Sequence, residues 1–255
     1  MLKKYARFYL ESFKLGFKHF SFMLFFIVIN LYSFIEFVNL PEPWDMVVMG
    51  ITVALRLAAL GGAGYVTIKL LRTNKVPEKI FERGVLGRYW EMVKYGIVQL
   101  VVYGILWTGA LLIFSRFIFV SSGIQYFWGW IVDFLFLFLF YQAIFWENEG
   151  IGKAYRIRNI FMLDKFEWLF PVYLITKLPL FAVQVLVTRG PNWASSYLGI
   201  ILFLILVSAI DWIHNIFTFK VYGADRIEVY QKMRERVDEA GRKLKEKKRK
   251  KREGK

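Results

Sequence analysis

The chain has 255 residues, 57% of them hydrophobic and 22% charged, with 26 Phe and a formal net charge of +15; its mean hydropathy is +0.41. A soluble domain with that much charge is not also this apolar unless the two classes are segregated along the chain, and here they are. The chain has no cysteine, which excludes a disulfide framework, a thiolate nucleophile and a cysteine metal site.

The first predicted element is the segment KKYARFYLESFKLGFKHF. Tyr5, Tyr9, Phe13, Phe17 and Phe20 step by three or four residues, while Lys3, Lys4, Arg7, Lys14 and Lys18 lie mostly elsewhere, the pattern of an amphipathic helix lying in a membrane interface. An apolar stretch follows at 20–39. It is too long for the core of a signal peptide and no A-x-A site follows it, so it reads as a retained first span. Further apolar stretches lie near 46–69, 95–115, 124–146, 167–187 and 197–219. Because a helix rises about 1.5 Å per residue, ~20 apolar residues cross a hydrocarbon core of ~30 Å, and a helix satisfies its own backbone while doing so. The predicted fold class is therefore all-α, a polytopic bundle of six transmembrane helices over 1–222. A cytoplasmic basic helix and a disordered tail are expected over 223–255.

Two more cationic segments, KIFERGVLGRYWEMVKYG from Lys79 and ENEGIGKAYRIRNIFMLDKFEW from Glu147, precede spans three and five. Each reads as another in-plane helix, and their regular spacing raises the possibility of a threefold repeat of interfacial helix plus hairpin. Within span two, Ala54, Ala58 and Gly62 recur at spacing four beside Gly61 and Gly64, a seam of small residues that lets helices approach closely. In span five Pro171 and Pro179 flank Lys177, which predicts a kinked helix with a lysine at its bend.

Orientation follows from Lys and Arg, which short cytoplasmic loops retain. The N-terminal arm, residues 69–94, residues 147–166 and the tail from Lys220 together hold 31 basic residues, against Arg116 and Arg189 alone on the other side. Both termini are thus expected in the cytoplasm of a cell-membrane protein, with Trp44 and Trp193 as interfacial anchors on the far side. The tail carries 15 basic and 7 acidic residues. Anionic lipid headgroups are its simplest partner, at about 1 kcal/mol per basic residue near the surface, and nucleic acid is a lesser candidate. Upstream, Tyr230, Met233, Val237, Ala240 and Leu244 share one helical face.

Five ionisable groups fall within or near the spans: Glu36, Arg56, Asp133, Lys177 and Asp211. Each costs ~2.5–3.5 kcal/mol on insertion, so each needs a partner, water or an interface. Counting depth along the spans matches Arg56 with Asp133 and Lys177 with Asp211. Two ion pairs are expected, with a polar cavity for an ion, a proton or a headgroup as the alternative. Asp211 and His214 share a face at i, i+3, which suits a hydrogen bond or a proton relay. His19 is the only other histidine, so no zinc-like spacing exists, and no metal or other cofactor is expected.

The run YQAIFWENEGIGKAYRIRNIFMLDKFEWLFPVYL, residues 141–174, resembles a stretch of the six-span membrane domain attached to some glycerophosphodiester phosphodiesterases and of its stand-alone relatives. In those proteins a span ends in an E-x-x-G-I-like turn, followed by an amphipathic helix and an aromatic-rich span. Glu147, Glu149, Gly150, Ile151, Lys153, Ala154, Arg156 and Arg158 stand in that pattern, with Asn159 where the relatives tend to carry Ser. The resemblance covers about 35 residues and the six-span layout. It implies a membrane-domain fold and brings no catalytic residues with it.

The sequence contains no G-x-S-x-G, H-E-x-x-H, P-loop or G-x-G-x-x-G motif, so hydrolase, metalloprotease and nucleotide chemistry have no support in it. Three readings of function stay open. The first is a non-enzymatic protein of membrane organisation or lipid and membrane-protein handling. The second is a small transporter or channel using the mid-membrane charges, and the third is an intramembrane enzyme.

Overall fold

A computed structural model of the chain describes residues 2–35, 41–114, 130–148, 150–189 and 197–253. Seven helices account for nearly all of them: α1 Leu2–Lys18, α2 Met23–Ile35, α3 Trp44–Thr73, α4 Gly87–Phe114, α5 Phe140–Glu147, α6 Ile151–Arg189 and α7 Tyr197–Glu253. No strand occurs among the described residues. Trp44–Thr73, Trp130–Glu147 and the Leu198–Lys232 part of α7 are each long and apolar enough to cross a bilayer. A fourth span follows if Lys3–Lys18 and Phe20–Leu31, which meet at 89°, are taken together. The stretches expected as spans three and five lie in α4 and α6. Glu36, Arg116, Trp193 and the first part of the stretch at 124–146 lie outside the described residues.

The helices begin and end for local reasons. Helix α3 stops where Asn74 takes a left-handed conformation (φ 53°) and its N–H returns to the Leu70 carbonyl at 2.9 Å, a C-terminal cap open to Asn and Gly. Thr52 and Thr67 in α3 each donate to the carbonyl four residues back at 2.7 Å, so neither hydroxyl reaches the apolar surroundings unsatisfied. Helix α7 runs unbroken for 57 residues, about 85 Å at 1.5 Å per residue. Residues 223–253, where a helix giving way to a disordered tail is expected, are helical throughout. Their Glu, Lys, Arg and Ala are strong helix formers that propagate an existing helix without a new nucleus.

The three cationic segments differ from one another. Lys4 and Tyr5 meet Asp225, Glu11 meets Lys220 at 2.9 Å, and Trp212 donates to the Gly16 carbonyl at 3.1 Å, so α1 lies antiparallel along α7. It is therefore not a free in-plane helix, although Leu10, Phe13 and Phe17 remain exposed on its outer side. The segment from Lys79 forms a π-helical turn, Ile80–Leu86, that leads into α4 and packs on α3. The third segment is continuous with its span in the 39-residue α6 and is buried at Ala154, Arg158, Phe161 and Lys165. Three different structures argue against three copies of one unit. Pro171 and Pro179 both lie inside α6, which continues through them.

The small residues of α3 are a seam within the chain. A Cβ on Gly62 would overlap the Phe25 ring of α2, one on Gly64 would overlap Phe145 of α5, and Gly61 backs onto the Gly84 carbonyl of the π turn. Ala54, at the far end of the series, is exposed. The seam therefore covers only the C-terminal half of α3.

Candidate functional site: a charged cluster at a broken helix

The helix that should form span four does not run through. Residues Asp133–Leu137 form a π turn, closed by Phe138 N–H onto the Asp133 carbonyl at 2.8 Å, after which Leu139 is left-handed (φ 63°) and α5 starts at Phe140. A break in an apolar helix strands backbone carbonyls, and each one left unsatisfied in hydrocarbon costs several kcal/mol. Arg158 of α6, fully buried, resolves this. Its guanidinium donates to the carbonyls of Phe134 (2.7 Å), Leu135 (2.5 Å) and Phe138 (2.7 Å), and to the Asn159 side chain at 2.8 Å. Five donors in a rigid plane suit this task, which a lysine cannot perform.

Asp133 opens the π turn and projects between α4 and α6. One carboxylate oxygen accepts from the Tyr103 hydroxyl at 2.8 Å. The other accepts from the Tyr173 hydroxyl at 2.9 Å and the Lys177 ammonium at 2.9 Å. Lys177 also stands over the Tyr173 ring, 5.3 Å from its centroid. Asp133 thus pairs with Lys177, and the expected pairing with Arg56 does not form. Equal depth does not make neighbours, and the 133–137 turn packs against α6, which carries Lys177. Asp211 correspondingly has no direct lysine partner among the described residues and accepts from the Asn30 amide of α2 at 2.8 Å. Lys177 is nevertheless within electrostatic range of both carboxylates, and Arg56 is within range of Asp211, Tyr95 and Tyr103. The predicted residues Arg56, Asp133, Lys177 and Asp211 therefore share one electrostatic neighbourhood, with Arg158 also within range of Asp133.

His214 is within electrostatic range of Lys177 but makes no hydrogen bond to this cluster. Its Nε2 faces the Tyr9 hydroxyl at 3.3 Å and its buried Nδ1 has no hydrogen-bond partner, so the i, i+3 spacing does not produce an Asp211–His214 hydrogen bond. The reason is that α1 packs against the histidine and α2 against the aspartate, and each draws one side chain its own way. No cluster of His, Asp or Glu able to hold a metal occurs among the described residues.

Sequence reasoning does not find Tyr103, Tyr173, Asn30 or Arg158. The three spans carrying the first three are rich in aromatic and polar residues of no obvious rank, and Arg158 falls in a segment that reads as an in-plane interfacial helix. A second hub also emerges at the other end of α5. Trp146 is sandwiched between Arg72 and Arg226, whose guanidinium carbons lie 4.9 and 4.6 Å from its ring. Glu147 accepts from Tyr222 (3.1 Å) and Tyr230 (2.6 Å) and pairs with Arg226. Tyr230 of the predicted stripe is accounted for there. Set against family models, curated proteins and solved structures, the chain matches none of them.

Proposed function

We propose that this chain is a six-span membrane protein with cytoplasmic termini that moves a small cation, coupled to protons, through the Asp133–Lys177 site in its broken fourth span. The observation that carries the reading is the coincidence of the helix break with the charged cluster. Irregular backbone at membrane depth is tolerated where it is buried in protein or lines a polar path, and membrane transporters place their ion sites at such discontinuous helices. Ionisable side chains retained there against a cost of several kcal/mol mark a functional site by default.

The charge arrangement supplies a mechanism. Lys177 contacts Asp133 and lies within the field of Asp211, so its ammonium has two carboxylates to choose between. When it swings toward Asp211, Asp133 loses its counter-charge and takes up a proton or another small cation. When it returns, the cation is displaced. The imbalance of 31 basic residues against 2 supports the orientation.

The test is proton flux into proteoliposomes loaded with a pH-sensitive dye, under an imposed pH gradient and a potassium diffusion potential. Wild type should carry flux above protein-free vesicles, and Asp133→Asn and Lys177→Met should each lose most of it. Flux no greater than that of empty vesicles under either driving force rejects transport and returns the chain to the organisational reading.

A further inference from the structure

Between α1 and α6 lies an apolar cavity of about 750 Å³. Its α1 wall includes Tyr5, Ala6, Tyr9 and Leu10, its α6 wall Trp168, Pro171 and Ile175, and Phe217 of α7 closes its floor. The Tyr9 hydroxyl is tied to His214 and its ring packs edge-on against Phe217, 5.3 Å between centroids, so this wall is fixed in place. The volume falls in the range of built ligand sites, roughly 300–1,000 Å³.

Two observations identify the occupant. The first is depth. The N-terminal end of α1 meets Asp225 of α7 and its middle meets Lys220, while its C-terminal end reaches Trp212 inside the apolar part of that helix. Helix α1 therefore descends from the polar toward the apolar part of α7, with Leu10, Phe13 and Phe17 exposed along its outer side, and the cavity lies beside that polar-to-apolar transition. The second is charge. On the α1 helix Lys3, Arg7 and Lys14 form a stripe at i, i+4 and i+11 spacing beside Leu10, which lines the cavity. All three are exposed.

We infer that the cavity binds one anionic phospholipid of the cytoplasmic leaflet, an acyl chain lying between α1 and α6 and the phosphate meeting the Lys3, Arg7 and Lys14 stripe. The apolar walls suit the chain, and three basic side chains near a phosphate give the selectivity over neutral lipid that bulk lipid contact does not. Glu167 borders the α6 side, away from that stripe, and leaves the phosphate a single side on which to bind. The site requires that the helices span a bilayer and does not depend on the transport reading.

Native mass spectrometry of the full chain, released from detergent after equilibration with phosphatidylglycerol or with phosphatidylcholine of the same acyl chains, tests this. Wild type should retain one phosphatidylglycerol, with a preference of about tenfold over phosphatidylcholine. Ala6 is exposed on the cavity wall, so Ala6→Trp fills the cavity without entering the core and should abolish retention. Replacing Lys3 and Lys14 by Gln should remove the preference while leaving chain binding, and a chain lacking residues 241–255 should bind as wild type does. Undiminished retention by Ala6→Trp, equal retention of the two lipids by wild type, no retained lipid, or loss upon removal of the tail each overturns the site.

Discussion

Lys177 and Asp133 show how context sets the worth of a single charge. Each is tolerated in an apolar helix because the other, with two tyrosine hydroxyls, takes the place of water. Removing one partner strands a charge, whereas removing both leaves a neutral pocket. Asp133→Asn or Lys177→Met alone should therefore lower stability in detergent by about 3 kcal/mol, and the double variant should recover much of that loss. Melts in which the two single losses simply add would show that the pair is not coupled. Arg158 illustrates the same rule with backbone partners: a guanidinium whose segment reads as an interfacial helix is held by three carbonyls released by a break 20 residues and more upstream.

At the scale of elements, glycine positions that look alike in sequence separate once their neighbours are known. Gly64 faces the Phe145 ring with no space for a methyl group, whereas Gly50 on the same helix faces open space. Gly64→Ala should cost about 1–3 kcal/mol through overpacking, and Phe145→Leu should relieve part of it. Gly50→Ala should instead be neutral or stabilise by about 0.5–1 kcal/mol, since alanine is the better helix former. Equal melting shifts for the two would contradict the packing of α3 on α5.

A charged clasp between α6 and α7 adds a pH dependence. Lys165 and Lys232 hydrogen-bond Glu228 at 2.6 and 3.0 Å, and they hold its carboxyl down from its ordinary value of 4.5 to about 2. A folded-state value below the unfolded one means that the clasp contributes fully above about pH 4.5 and fades as pH falls toward 2. Glu228 is half exposed, so the contribution is small. Wild type should melt slightly above Glu228→Gln at pH 6, and the gap should narrow as pH falls from 4.5 toward 2. A gap unchanged between pH 6 and pH 2.5 would assign the difference to something other than the carboxylate.

For the whole molecule, the charge asymmetry predicts which loops face the cytoplasm. Cysteines placed singly at Lys75, Asn192 and Lys250 of this cysteine-free chain should separate cleanly, with an impermeant thiol reagent on intact cells labelling only position 192. Labelling at 250 would invert the orientation, and labelling at both 75 and 192 would mean that the number of spans between them is even rather than three.

The sequence by itself determined the solvent and the helical class, because hydrophobic length and periodicity are local properties of the chain and a bilayer demands helices of that length. It also determined which residues bear charge in apolar surroundings, for the same reason. Tertiary structure decided everything that depends on which helices are neighbours. It gave Asp133 to Lys177 and Asp211 to Asn30, laid α1 along α7, and turned the small-residue series of α3 against Phe25 and Phe145. It also broke the fourth apolar stretch at Leu139. No glycine or proline marks that break, because its stabilisation comes from Arg158 on another helix. A chain read one window at a time carries no record of contacts made across 20 to 200 positions, and those contacts are what build the site.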